Sequence, residues 1–219
     1  MYHFDWSVVT RNLHLLLPAI GLTFQLAIVS EILALAVGLL AGLARTSTSK
    51  YLRTPVTLYV DAFRSVPLLV LLIWVYYGVS IVLGISFSAF QAGVVSLGFF
   101  YGAYNAEIFR AGLQAIARGQ REAALTLGLS RWQASYYIVI PQAVRIVTPA
   151  LANNFIGMMK DVTLVSIIGL SEFMQTARLV VSTTFRPFEI YTFVAGVYFL
   201  LTLVFSRFVA LSERLKPVH

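Results

Sequence analysis

From Leu15 to Ala44 the chain carries a single ionisable residue, Glu31, in an otherwise apolar run. A bilayer's hydrocarbon core is about 30 Å thick and a helix rises 1.5 Å per residue, so about 20 mostly apolar residues cross it. No water is available there to satisfy the backbone, which confines such a run to a helix with internal hydrogen bonds. Four further runs meet the same test. The expected spans are about 15–44, 56–83, 87–108, 144–168 and 188–209, in one all-α transmembrane domain covering 1–219.

Composition agrees with that expectation. The 219 residues are 59% hydrophobic and 11% charged, with a mean hydropathy of +0.83, against about 25% charged residues in soluble domains. The first run is too long for the core of a signal peptide, so it is expected to be a retained span. With no cysteine, neither a disulfide framework nor a thiolate metal site is available. His3, His14 and His219 are scattered and give no metal-ligand spacing.

A net charge of +7 would suit nucleic acid if it formed a stripe. Here the basic residues instead fall between apolar runs, where they orient a membrane protein. Arg45, Lys50, Arg53, Arg110, Arg118, Arg121, Arg131, Arg145, Arg207, Arg214 and Lys216 form the richer set; Arg11, Lys160, Arg178 and Arg186 form the other. The richer set belongs in the cytoplasm. The amino terminus is then expected outside, the carboxyl terminus inside, and the connection at about 111–141 on the cytoplasmic side.

That connection reads as two short helices and a turn. Gly128 stands where a left-handed residue would end a helix over about 120–127. Ser130 and Gln133 have the spacing of a capping box, so a second helix should start at Arg131, and Pro141 should punctuate the start of the fourth span. Ala123 and Leu127 share one face, small residues Ala123 and Ala124 leave room for a partner, and Trp132 with Tyr136 makes an aromatic face. An amphipathic connection lying on anionic lipid has the same pattern.

Glu122-Ala123-Ala124, then Gly128, then Ile138-Val139-Ile140-Pro141 resembles in order, spacing and position the EAA loop of ABC importer permeases. Tyr104–Gly112, Gly119–Ser130, Pro141–Ala143 and Lys160–Ser166 resemble the polar amino acid branch, and the similarity covers about 59–171. The resemblance implies the MetI-like type I importer fold in a bacterial inner membrane. It also implies that Glu122, Ala123, Ala124 and Gly128 dock a separate ATPase, with Arg121 and Arg131 as rim charges or lipid contacts. Two permease chains, identical or related, would enclose the path, and an extracytoplasmic amino-acid-binding protein would deliver the cargo.

No Gly-x-x-x-x-Gly-Lys-Ser/Thr phosphate loop occurs in the sequence. The chain is therefore expected to be no enzyme and to hold no cofactor, with ATP and Mg on the partner. Ionisable residues within spans are costly and point to a pathway; here they are Glu31, Asp61, Arg64, Glu107 and Asp161. Asp61 and Arg64 either neutralise each other or serve a path at Arg64-Ser65-Val66-Pro67, where a proline break would free N–H groups beside a guanidinium suited to a carboxylate. Family members usually have Arg-Gly-Thr-Pro there, so Ser65 and Val66 depart from the pattern. Asn153, Asn154, Lys160, Asp161 and Thr163 form a second polar group. Asn154 and Asp161 are two turns apart on one face, as path residues or as the outer end of a span. Glu107 is expected to pair with Arg110. Gly38 and Gly42 suit close packing of a helix from this chain or from another. A stand-alone channel or secondary transporter for a small polar solute is the alternative function.

Overall fold

The computed structural model describes residues 2–214; Lys216, His219 and the carboxyl end lie outside the described residues. Described residues form helices α1 (Ser7–Thr46), α2 (Lys50–Ser65), α3 (Leu68–Leu83), α4 (Ala89–Gln114), α5 (Arg118–Thr126), α6 (Arg131–Ile168), α7 (Phe173–Thr184) and α8 (Pro187–Arg214), and no strand. Among them α1, α6 and residues Pro187–Arg207 of α8 are long and apolar enough to cross a bilayer, and α2 with α3 meets the same test only as a pair bent by 107° at its break, the form of a broken span or of a re-entrant loop. The predicted run at 87–108 falls in α4, whose 26 residues suffice in length. Gln91, Asn105, Glu107 and Arg110 dilute its apolar character.

The α2–α3 break comes from Pro67. Val66 leaves the helix in an extended conformation (φ −92°, ψ 133°), as the residue before a proline must, and Pro67 opens the next helix. Pro141 acts differently from expectation: α6 passes through it without interruption. The preceding turn, Ser135–Val139, is widened to a π-helical one in which the Ile140 N–H donates to the Ser135 carbonyl. Shifting the register there accommodates the proline's missing donor without breaking the helix.

By internal contacts the chain falls into two units. The first comprises residues up to 32, 67–97 and from 156 onward. Its core packs Val8, Val9, Leu16 and Ala19 of α1 against Phe173, Ala177 and Val180 of α7 and Ile190 and Val194 of α8. Glu172 is fully buried there as the N-cap of α7, its Oε1 accepting from the Gln175 N–H at 2.8 Å. Thr23 of α1 donates to the Glu172 carboxylate at 3.3 Å and accepts from the Phe173 N–H at 3.1 Å, so it satisfies another donor of the helix start. Burial pushes the Glu172 carboxyl above the usual carboxylate range, against hydrogen bonds that pull it down.

The second unit comprises residues 33–66 and 98–155. Here Gly38 and Gly42 pack against α4 of the same chain. A Cβ on Gly38 would lie 2.5 Å from the Asn105 Cβ, and one on Gly42 2.8 Å from the Phe109 Cβ and 2.9 Å from the Ala106 carbonyl. Ala41, Val60, Ala103 and Ala106 form the buried centre of this contact, with Tyr59 donating to the Phe99 carbonyl at 2.7 Å.

Candidate functional site

The predicted residues fall into three groups, most of them in the second unit, beginning with the loop between α4 and α6. Its helix α5 ends at Leu127, and Gly128 follows with φ +86°, the left-handed conformation in which any side chain is strained. Three carbonyls of α5 are satisfied by this ending: the Leu127 N–H donates to Ala123, the Gly128 N–H to Leu125 and the Leu129 N–H to Ala124. Ser130 then caps α6 through both arms of a capping box, its Oγ accepting from the Gln133 N–H at 3.2 Å and its own N–H donating to the Gln133 side chain at 2.9 Å. The helix, turn and cap thus fall where the spacing predicted.

On this loop Arg121, Glu122, Ala123 and Arg131 are exposed, whereas Ala124 is buried. The two small residues therefore differ: Ala123 leaves the outer face low, and Ala124 seats the helix on its own unit. Leu127 is 84% exposed and Trp132 73% exposed, with Trp132 and Tyr136 stacked at 6.3 Å. A short helix with an uncovered leucine and an aromatic pair beside it leaves an apolar patch of the kind that meets a protein partner or a membrane surface.

The second group is built on Glu107. Arg110 Nε lies 2.7 Å from its carboxylate as expected, and Arg45 Nη1 of α1 lies 3.2 Å away. Arg64 Nη1 of α2 stands further off, at 3.8 Å, with its guanidinium 5.2 Å over the Tyr104 ring. Three arginines around one carboxylate leave an excess of positive charge. Among the described residues Arg64 pairs with Glu107 and Asp61 makes no ion pair, so of the two alternatives for Asp61 and Arg64 a direct mutual ion pair is not formed. Asp61 is exposed, its carbonyl accepts from Ser65 Oγ at 2.7 Å, and it borders a hollow shared with Arg53, Thr54 and Thr57. At the break the Val66 N–H is spent on the Ala62 carbonyl at 3.2 Å, so the unpaired donors belong to the first turn of α3 instead.

In the third group Asn154 Nδ2 donates to Asn105 Oδ1 at 2.7 Å. Asn105 is fully buried and its own amide nitrogen has no partner among the described residues, which is costly without an acceptor. No local pattern announces this pair, because 49 positions separate the two residues. Asp161 and Thr163 belong to the first unit, at the point where α6 tightens to a 3₁₀ helix over Val162–Ile168. Thr163 Oγ1 donates to the Lys160 carbonyl at 2.7 Å. Glu172 was missed among the ionisable residues because it lies between predicted spans rather than within one.

Comparison with known proteins bears on these arrangements. The family described as "Binding-protein-dependent transport system inner membrane component" matches residues 34–216. The glutamine transport system permease protein GlnP of Escherichia coli (strain K12) is 33% identical over 212 residues, covering 96% of this chain and 97% of that one. The glutamate/aspartate import permease protein GltK of Escherichia coli O6:H1 is 33% identical over 221 residues, covering 98% and 99%. A solved amino acid ABC transporter, crystallised with histidines, contains a chain of 36% identity that superposes with a TM-score of 0.91 over 97% of this chain and 99% of that one.

Proposed function

The chain belongs to the inner membrane components of binding-protein-dependent transport systems, and from that premise we propose that it forms half of a polar amino acid path and is driven through its α5 loop. It is a multi-pass permease subunit of an amino-acid ABC importer and no enzyme, since ATP is hydrolysed on a separate subunit in such systems. An ATPase and a binding protein are its partners, and nothing in the family calls for a cofactor on this chain.

The observation that carries the coupling proposal is the α5 helix, exposed on its Glu122, Ala123 and Leu127 side and ended at Gly128 with φ +86°. Such a helix passes a rigid-body displacement into α6, which starts two residues later at a capped Ser130. Arg121 and Arg131 supply charge at its rim, and Ala124 holds its inner side. ATP and Mg would bind the partner, whose closure moves this loop. The amino terminus lies outside and the carboxyl terminus in the cytoplasm, with a second permease chain, identical or related, completing the path.

Cargo would meet Asp61, Arg64 and Ser65 at the broken span, and Asn154, Asp161 and Thr163 on α6. Each unit brings its own candidate group: in the second, Arg64, whose guanidinium makes only a 3.8 Å ion pair to Glu107, suits a carboxylate, and in the first, Asp161 suits an ammonium group. The unpaired Asn105 amide nitrogen beside Asn154 supports an acceptor arriving there. GlnP and GltK carry different cargoes by name yet are equally similar to this chain. The cargo of this permease is therefore assigned by class only.

Reconstitution tests the reading. Proteoliposomes holding the chain with its ATPase and a binding protein should take up amino acid only with ATP, and the chain alone should take up none. Uptake by the chain alone, indifferent to ATP, would defeat it in favour of a channel or secondary transporter.

A further inference from the structure

The residues ahead of α1 are tied into the first unit by a buried carboxylate. Glu189, at the start of α8, is fully buried. It accepts a hydrogen bond from the Tyr2 hydroxyl at 2.5 Å and from the Asp5 N–H at 2.9 Å, with Arg186 Nη1 3.6 Å away. Arg186 also donates to the His3 carbonyl and stands 5.6 Å over the Tyr2 ring. Residues 2–6 are thereby fastened to the head of α8.

Outside this polar knot lies a cluster of rings. Phe188 is its centre, 5.2 Å from Phe4 and 6.2 Å from Trp6, and Tyr2 packs edge-on to Phe4 at 5.2 Å. All four are exposed. Three positions before Phe188 in the chain, Phe185 ends α7 with φ +55°, a conformation that glycine adopts freely and phenylalanine only under strain, and its side chain is 81% exposed. Inside the chain that ring gains almost nothing in return for the strain. The backbone there does close the helix, its N–H donating to the Val181 carbonyl at 2.8 Å, but the ring itself is left uncovered by this chain.

We infer that Tyr2, Phe4, Trp6, Phe185 and Phe188 form an aromatic anchor seated in the headgroup layer of the bilayer, with a phospholipid surface as its partner. Two membrane-spanning helices, α1 at Ser7 and α8 at Pro187, begin beside it. That is the depth at which amphipathic rings gather in membrane proteins. The patch also runs on into the span: Phe188, Tyr191 and Phe199 are exposed on α8, three and eight positions apart along one face. A docking surface for a soluble protein would stop short of the lipid, whereas this one continues into it. The Glu189 knot holds the rings at that depth.

Trp6 reports its own position. The full chain carrying Trp74→Phe and Trp132→Phe retains Trp6 as its single tryptophan. In phosphatidylcholine nanodiscs with spin labels at either a shallow or a deep acyl position, Trp6 emission should be quenched more by the shallow label. Adding Glu189→Gln should weaken that quenching, and if this variant fails to fold the two labels on the parent protein still decide. A red-shifted emission untouched by either label would mean a water-facing surface for a soluble partner and overturn the inference. A blue-shifted emission untouched by either label would mean a second copy covers the patch and overturn it equally, as would stronger quenching by the deep label.

Discussion

Single residues carry two of the tightest constraints. Gly128 holds φ +86° with open space around it, so a side chain there meets backbone strain and no clash. Gly128→Val should cost about 1–2 kcal/mol at the turn, enough to unwind it locally while leaving membrane insertion intact. ATPase activity stimulated by loaded binding protein is the measurement, and unchanged coupling would count against the docking geometry. Phe185 presents the opposite case. In detergent, where no ordered headgroup layer rewards the ring, Phe185→Gly should raise thermal stability by up to about 1 kcal/mol by removing left-handed strain, less the flexibility glycine adds to the unfolded chain.

Glu172 gives a pH dependence with a definite sign. Its folded-state pKa is raised by burial, so the folded chain holds the proton more tightly than the unfolded one. The resulting stability is present below the unfolded value, about 4.3, and is lost as pH rises through the higher folded value. Thermal melts of the wild type should therefore fall across that window relative to Glu172→Gln, which keeps the cap's acceptor and does not titrate. A parallel pH dependence in both proteins would remove Glu172 as the cause.

At the scale of elements, the α1–α4 contact in the second unit is set by small residues. Gly38 and Gly42 bring α1 onto α4 so closely that a Cβ at either overlaps the facing side chain or carbonyl. Gly38→Val should separate the helices and cost about 1–3 kcal/mol, read as a lowered melting temperature of the purified permease. A variant altered only in association with a second chain would instead place this face at an interface. The Glu107 group ties α1, α2 and α4 together, since its carboxylate meets Arg45, Arg64 and Arg110. Glu107→Ala would leave three guanidiniums facing one another, partly screened by solvent, at a cost on the order of 2 kcal/mol. Glu107→Gln, which keeps one acceptor, should cost less.

For the whole molecule, the sequence was most legible where structure is local. The helix end at Gly128, the Ser130–Gln133 capping box and the break at Pro67 each depend on a few neighbouring residues, and each stands where their spacing put it. Pro141 shows the limit even there, because a proline's missing donor can be absorbed by a widened turn as well as by a break. Which charges meet was far less legible. Arg64 had a candidate partner three residues away in Asp61 and turned instead to Glu107 on another helix. Asn154 found Asn105, and Glu189 gathered residues from the other end of the chain.

By itself the sequence determined a membrane-embedded helical chain with a helix, turn and capped helix between its third and fourth spans, because hydropathy, capping and turn chemistry act over a few residues and are written in order along the chain. Only the tertiary structure decided that Ala123 faces out while Ala124 faces in, that the Gly38–Gly42 pair packs internally, and that Glu172 and Glu189 are buried. Those outcomes depend on which helix faces arrive at the same place, and a carboxylate's environment is set by its neighbours in space rather than in sequence.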